Sequence, residues 1–174
     1  MKRWLLTAAA CLLAGSGIRA QPPEKHATDQ IAREVRHELL TLPYYEVFDY
    51  LTYRVEGSAV TLSGEVTHPE LKTAAEAAVK QIEGVRSVVD HIALLPASPS
   101  DARLRLAVYV ATYGNLDLNQ YAMRAIAPVH IIATNGNVTL EGVVDNAMDK
   151  TQFFSQASGV PGVVSLTDHL QVAP

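Results

Sequence analysis

The sequence predicts an α+β protein built from two αββαβ units, each a three-stranded mixed sheet with two helices on one face. Three observations predict it. First, Val60-Thr-Leu-Ser-Gly-Glu-Val66 returns as Val138-Thr-Leu-Glu-Gly-Val-Val144, an offset of 78 residues. The offset holds without a gap to the end: Gly84 falls on Gly162, Asp90-His91 on Asp168-His169, and Pro96 on Pro174. Second, the repeated strand alternates apolar and polar residues, and helix-spaced apolar stripes flank it. Third, each copy has a short turn before this strand and a helix after it. A short turn joins antiparallel strands, whereas a helical crossover joins parallel ones with a right-handed connection. The result is a mixed sheet in a two-layer sandwich.

In chain order, Met1-Lys-Arg, the apolar run Trp4–Leu13 and the small residues up to Ala20 read as a secretory signal peptide, residues 1–20. The apolar run is shorter than the roughly 18 residues of a membrane span. Cleavage is expected after Ala20, or nearer Ser16 or Gly17. Cys11, the single cysteine, is expected to leave with this segment; attachment of a lipid to it is the less favoured alternative. The mature chain then has no thiol and no disulfide. Gln21 to His26 reads as a mobile leader.

Thr28 or Asp29 is the expected cap of a helix whose buried stripe is Ile31, Val35 and Leu39. Pro43 ends it. Tyr44 to Asp49 reads as a linker, Tyr50–Val55 as a strand, Glu56-Gly57-Ser58 as a turn and Ala59–Val66 as the return strand of a hairpin. Thr67-His68-Pro69-Glu70 matches a capping box, with Thr67 as cap. Leu71, Ala74, Ala75, Ala78, Val79 and Ile82 then form the apolar face of a second helix, stopped by Gly84. Val85–Leu95 is the third strand.

Ala97–Ser100 is a short linker between units 28–96 and 101–173. In the second unit Ser100 or Asp101 is the expected cap, and Leu104, Val108 and Ala111 the core stripe. Leu106, Tyr109, Val110 and Tyr113 make this helix apolar on more than one side. About five extra residues follow before the hairpin, and Asn115–Pro128 reads as a short helical turn and loop. Strands over His130–Thr134 and Val138–Val144 flank the turn Asn135-Gly136-Asn137. A helix from about Asn146 to Ser158, with stripe Met148, Phe153 and Ala157, leads to the last strand, Val163–Val172.

Composition is ordinary for a globular chain, 48% hydrophobic and 18% charged. Net charge is −4, and nearer −7 once the basic N-terminal segment is removed. The first unit carries six Lys/Arg against eleven Asp/Glu and the second four against six. That excludes an electrostatic footprint for nucleic acid and disfavours whole-surface attraction to anionic lipid.

No enzyme chemistry is legible. Asp90-His91 and Asp168-His169 place neighbouring side chains on opposite faces of a strand. His26, His37, His68 and His130 lack metal-ligand spacing. No Ser lies in a G-x-S-x-G elbow, and Glu34/Glu38 lie on a solvated helix face. The glycines punctuate turns and strands and form no phosphate loop. No catalytic residue, metal, cofactor or small-molecule substrate is expected.

The order of elements, Phe48-Asp49 ahead of the first strand, the V-T-L-x-G-x-V strand in both copies and Ile82-Glu-Gly-Val-Arg-Ser-Val-Val-Asp90, matched by Gly162-Val163, resemble the BON domain over residues 28–96 and 101–173. A tandem pair behind a signal peptide is similar to osmotically inducible periplasmic proteins. The resemblance implies a non-enzymatic periplasmic or envelope module that attaches to membrane phospholipid or envelope proteins, in stress or membrane maintenance. The alternative is a protein-interaction or holdase-like stress protein that binds no lipid. In some tandem members the first helix of the second domain contacts lipid. The surplus apolar face of that helix, with Tyr121 and Met123 nearby, makes Arg103, Arg105, Leu106, Tyr109, Tyr113, Tyr121 and Met123 the candidate contact surface; the favoured expectation is that this face packs against the other domain, and membrane or partner contact is the alternative.

Overall fold

A computed structural model of the chain describes residues 23–174. The signal-peptide and Cys11 expectations lie outside the described residues. The elements are α1 (Pro23–Leu40), β1 (Tyr50–Glu56), β2 (Ala59–Val66), α2 (Pro69–Lys80), β3 (Ser87–Leu94), α3 (Pro99–Tyr113), α4 (Asn119–Ala122), β4 (Val129–Thr134), β5 (Asn137–Val144), α5 (Ala147–Ser158) and β6 (Ser165–Val172). They form two three-stranded sheets, ordered β1-β2-β3 and β4-β5-β6. In each, the hairpin pair is antiparallel and the pair joined by the crossover helix is parallel. The α+β architecture is as the sequence predicts.

Registers repeat too: Val60, Leu62 and Val66 of β2 are buried, and so are Val138, Leu140 and Val144 of β5. Gly64 and Gly142 both sit at φ 125°. A Cβ there would lie about 2 Å from the carbonyl oxygen of Tyr50 or Pro128. The neighbouring strand therefore approaches a backbone that only glycine can offer.

Local details depart from expectation for identifiable reasons. α1 begins at Pro23 and runs through Thr28 and Asp29. Proline is favoured in a first helical turn, so Pro23–His26 extends the helix in place of a mobile leader. Thr67 does not cap α2; its hydroxyl donates to Asp49 at 2.7 Å, and His68 takes the cap position with no side-chain cap bond. Ser98 caps α3, accepting from the Asp101 amide. The buried stripe of α5 is Asp149, Phe153 and Ala157, while Met148 is 71% exposed.

The two cores differ in kind. The first is aliphatic: Ile31, Val35, Leu39, Leu71, Val79 and Ile92 close on β2. The second is aromatic. Phe153 meets Tyr113 and Tyr121 edge-on, with ring centroids 5.6 and 5.2 Å away, a favoured geometry for buried rings.

The units are joined by more than the Ala97–Ser100 linker. β4 is buried along both faces. Val129, Ile131 and Ala133 enter the second core, and His130, on the opposite face, lies between the rings of Tyr45 and Tyr50. The free edge of β4 is also occupied. The Tyr113 hydroxyl pairs with Val129, the Ile131 amide donates to the Val47 carbonyl, and Arg105 donates to the Ala133 carbonyl. An edge strand satisfied this way offers no template to another chain.

Candidate contact surface

α3 positions the surface. Ser98 and Pro99 fix its start, and Leu104 and Val108 anchor one side in the second core. Asp101, on the first turn, accepts hydrogen bonds from the Asn135 and Gly136 amides, tying the helix to the β4–β5 turn. The Asn135 amide is the largest influence holding its carboxyl below the usual range; burial opposes it, and the Gly136 amide and Ser98 add to it.

The seven residues expected at this surface separate. Arg103, Leu106 and Met123 are exposed, Leu106 at 55% and Met123 at 86%. Tyr109 is half-buried, with its ring edge-on to Phe48 and stacked on Tyr113. Arg105, Tyr113 and Tyr121 are buried, and their placement on a contact surface is corrected. The Arg105 guanidinium is used on Ala133; burial lowers its pKa, opposed by the Asp101 and Asp49 carboxylates. The Tyr113 hydroxyl closes the β4 edge, and its pKa is raised, chiefly by burial. Tyr121 donates to Asp149 and accepts from the Asp145 amide, and burial pushes it up to about 12.

What remains outside is an apolar ridge. Leu106 and Val110, one turn apart on α3, are 55% and 62% exposed, and Leu116, Met123 and Ile126 are exposed on the segment that follows. Leu106 separates two clefts. One, of about 410 Å³, lies where the linker meets the second domain, between Phe48, Tyr109, Arg124 and Ile126. The other, of about 680 Å³, lies between α3 and α5, lined by Arg103, Val110, Gln156 and Pro161 among others. Cationic character is slight: Arg103 is exposed, but Arg124 is paired with Asp145 and lies over the Tyr121 ring.

The favoured expectation, that this helix packs on the other domain, is met in one place. Phe48 of the linker reaches Tyr109, and Leu106 and Val110 stay open. In the sequence Phe48 belongs with Asp49 to the family pattern, and neither Val47 nor His130 is marked as a junction residue. The adjacent apolar pair Ile131-Ile132 was the available signal, since a strand buried on both faces loses alternation.

The repeated Asp-His pairs point apart. Asp90 and Asp168 each accept from the amide two residues on and pair with Lys72 or Lys150 of the crossover helix. His91 is exposed, and His169 meets Glu141 at the surface. Among the described residues no three His, Cys, Asp or Glu side chains gather as a metal site requires, and no helix is long and apolar enough to cross a membrane.

Compared with known families, residues 27–96 and 117–174 match the BON domain model. The second match begins after α3, the helix that carries the exposed ridge. No curated protein matches the chain. Among solved structures, it is similar to CdsD, a structural protein of the type III secretion system of Chlamydia trachomatis: 16% identity over 83% of this chain and 93% of that one, TM-score 0.30. The C-terminal domain of CdsD gives 16% identity over 82% and 96%, TM-score 0.28. A likeness of that size carries no argument about function.

Proposed function

The chain belongs to the BON-domain family, and from that premise we propose that it is an exported envelope module that attaches to phospholipid membrane through the ridge of α3. Two copies of a binding domain make the broader statement, a tandem binding module. The observation that carries the finer one is the exposed Leu106–Val110 ridge between two clefts. Burying each such side chain contributes roughly 1.5–3 kcal/mol, enough for two to matter to attachment. The chain is acidic and the ridge holds little free positive charge, so apolar insertion dominates over headgroup attraction. Export by a cleaved segment over residues 1–20 and a periplasmic location belong to the same reading.

Flotation of the chain with vesicles of zwitterionic lipid, and of zwitterionic lipid with an anionic component, tests it. Association with both is expected, with weak dependence on salt. The double variant Leu106→Asp, Val110→Asp is expected to lose at least tenfold in bound fraction while keeping its circular dichroism spectrum. Absence of flotation at low salt would remove the lipid reading. The acidic surface favours one second reading, a protein partner or a holdase-like role. It predicts suppressed client aggregation without lipid, sensitive to the same two substitutions.

A further inference from the structure

We propose that His130 is an acid-sensitive latch between the two domains: its neutral imidazole closes the junction against Tyr45 and Tyr50, and its protonation releases the linker from the outer face of β4. This stands independently of the membrane reading.

The position is unusual for a histidine. His130 is 6% exposed, with the Tyr45 and Tyr50 ring centroids 5.3 and 5.7 Å from its own. Its Nε2 lies 3.3 Å from the Tyr45 hydroxyl oxygen. That oxygen accepts from the Leu51 amide at 3.4 Å, and its hydrogen is free to be donated to Nε2 of a neutral ring. The contact therefore suits an imidazole that accepts at Nε2 and carries its proton on Nδ1. Nδ1 is buried and makes no hydrogen bond of ordinary geometry, although the Glu46 and Asp49 backbone carbonyls face the ring. A second proton would face an O–H already donating and would place a full charge in a buried site, a cost that the Glu46 and Asp49 backbone carbonyls offset only in part.

The surrounding groups offer little compensation. From the linker come Tyr45, Glu46 and Asp49, from β1 Tyr50, and from β5 Glu141, which is paired across the strands with His130. Arg124 lines the same cleft. Asp49 is buried, but its oxygens accept from the Thr67 amide and hydroxyl and from the Glu46 amide. Glu141 is engaged by His169. Burial pushes the Tyr45 phenol up to about 12, so it supplies no counter-charge near neutrality. Burial also pushes His130 below its ordinary value, against opposing contributions from the Glu46 and Asp49 backbone and the Asp49 carboxylate.

The sign follows. With the junction open, His130 titrates near the ordinary value of about 6.5. With it closed, the value is lower. Closure is at full strength above the open-state value, weakens as pH falls below it, and levels off beneath the closed-state value, by at most about tenfold in the open-to-closed ratio per pH unit. The repeat offset places Thr52, an exposed residue, at the corresponding point of the first domain, so the latch belongs to the junction and not to the shared scaffold.

The test uses the full chain. Hydrogen exchange of the Ile131 amide, bonded to Val47 across the junction, is followed from pH 8 to 5 and corrected for intrinsic exchange. Leu62 and Leu140 serve as markers of the two sheets. Ile131 protection is expected to fall up to tenfold per unit below about pH 6.5 while both markers hold, and His130→Gln should abolish the dependence. In parallel, the His130 ring is titrated by NMR and should titrate below the ordinary imidazole value of about 6.5. Unchanged Ile131 protection, loss shared by all three amides, the same dependence in His130→Gln, or a His130 midpoint at or above about 6.5 would overturn the proposal. Where His130→Gln opens the junction at every pH, the wild-type ring titration decides.

Discussion

The two domains share a backbone plan and fill it differently. At the repeat offset, Leu71, Ala75 and Val79 on the buried face of α2 become Asp149, Phe153 and Ala157 on α5. In the first domain the middle residue is small and its neighbours are large. In the second the middle residue is the largest, and a carboxylate stands at the first position. The segment between α3 and β4 permits the exchange. It delivers Tyr121 to the second core, where the ring packs on Phe153 and the hydroxyl satisfies Asp149. That hydroxyl also receives the Asp145 amide, just ahead of α5. In the first domain the corresponding amide, that of Thr67, is held by the Asp49 carboxylate at 2.6 Å. One structural task, securing the chain where it turns into the crossover helix, is met by a linker acid in one copy and an inserted tyrosine in the other. A duplicated scaffold thus fixes which backbone groups need partners and leaves open which residues supply them.

The largest effect should come from exchanging the middle residue. Phe153→Ala is expected to cost about 3–5 kcal/mol, confined to the second domain. Ala75→Phe should destabilise the first by about 1–3 kcal/mol through overpacking. Denaturant unfolding read by hydrogen exchange in β2 and β5 separates the two, and a tolerated Ala75→Phe would show that the first core has room the comparison denies it.

Next come the two anchors. Tyr121→Phe keeps the ring and removes the bonds to Asp145 and Asp149, and Asp49→Ala removes those to Thr67 and Glu46. Each is expected to cost about 1–3 kcal/mol, and exchange of the Asp145 or Thr67 amide should accelerate in its own domain only. Acceleration in both domains would mean that the anchors are coupled through the junction.

The smallest effect should be the most symmetric. Lys72→Met and Lys150→Met remove the repeated bridges to Asp90 and Asp168, whose lysines are more than a third exposed. Each is expected to cost less than about 1 kcal/mol, and the two should be equal within error. A clear inequality in thermal midpoint would show that the domains differ here as well.

Much of this was legible residue by residue. Val60–Val66 and its copy alternate because one face of each is buried, so the strand, its register and its glycine could be read directly. The candidate surface was legible only in part. Leu106 and Met123 are exposed and Tyr113 and Tyr121 are buried, and the sequence does not separate them, because an apolar tyrosine on a helix or loop carries no mark of where its hydroxyl will find a partner. Met148 looks like core and Asp149 does not for a related reason: an acid looks like a surface residue until a buried donor such as Tyr121 is brought to it. Thr67 looks like a helix cap because the competing acceptor, Asp49, lies 18 residues away.

The tandem αββαβ plan is written locally: alternation, turn residues and helix-spaced stripes depend on no distant partner, and each copy of the repeat carries its own set. Tertiary structure decided the rest: which tyrosines are core, which carboxylates are satisfied, and that the linker and β4 join the two domains around His130. Those outcomes depend on hydrogen bonds and ring contacts between residues as far apart as Tyr45 and His130, and no local pattern encodes a partner that only folding brings near.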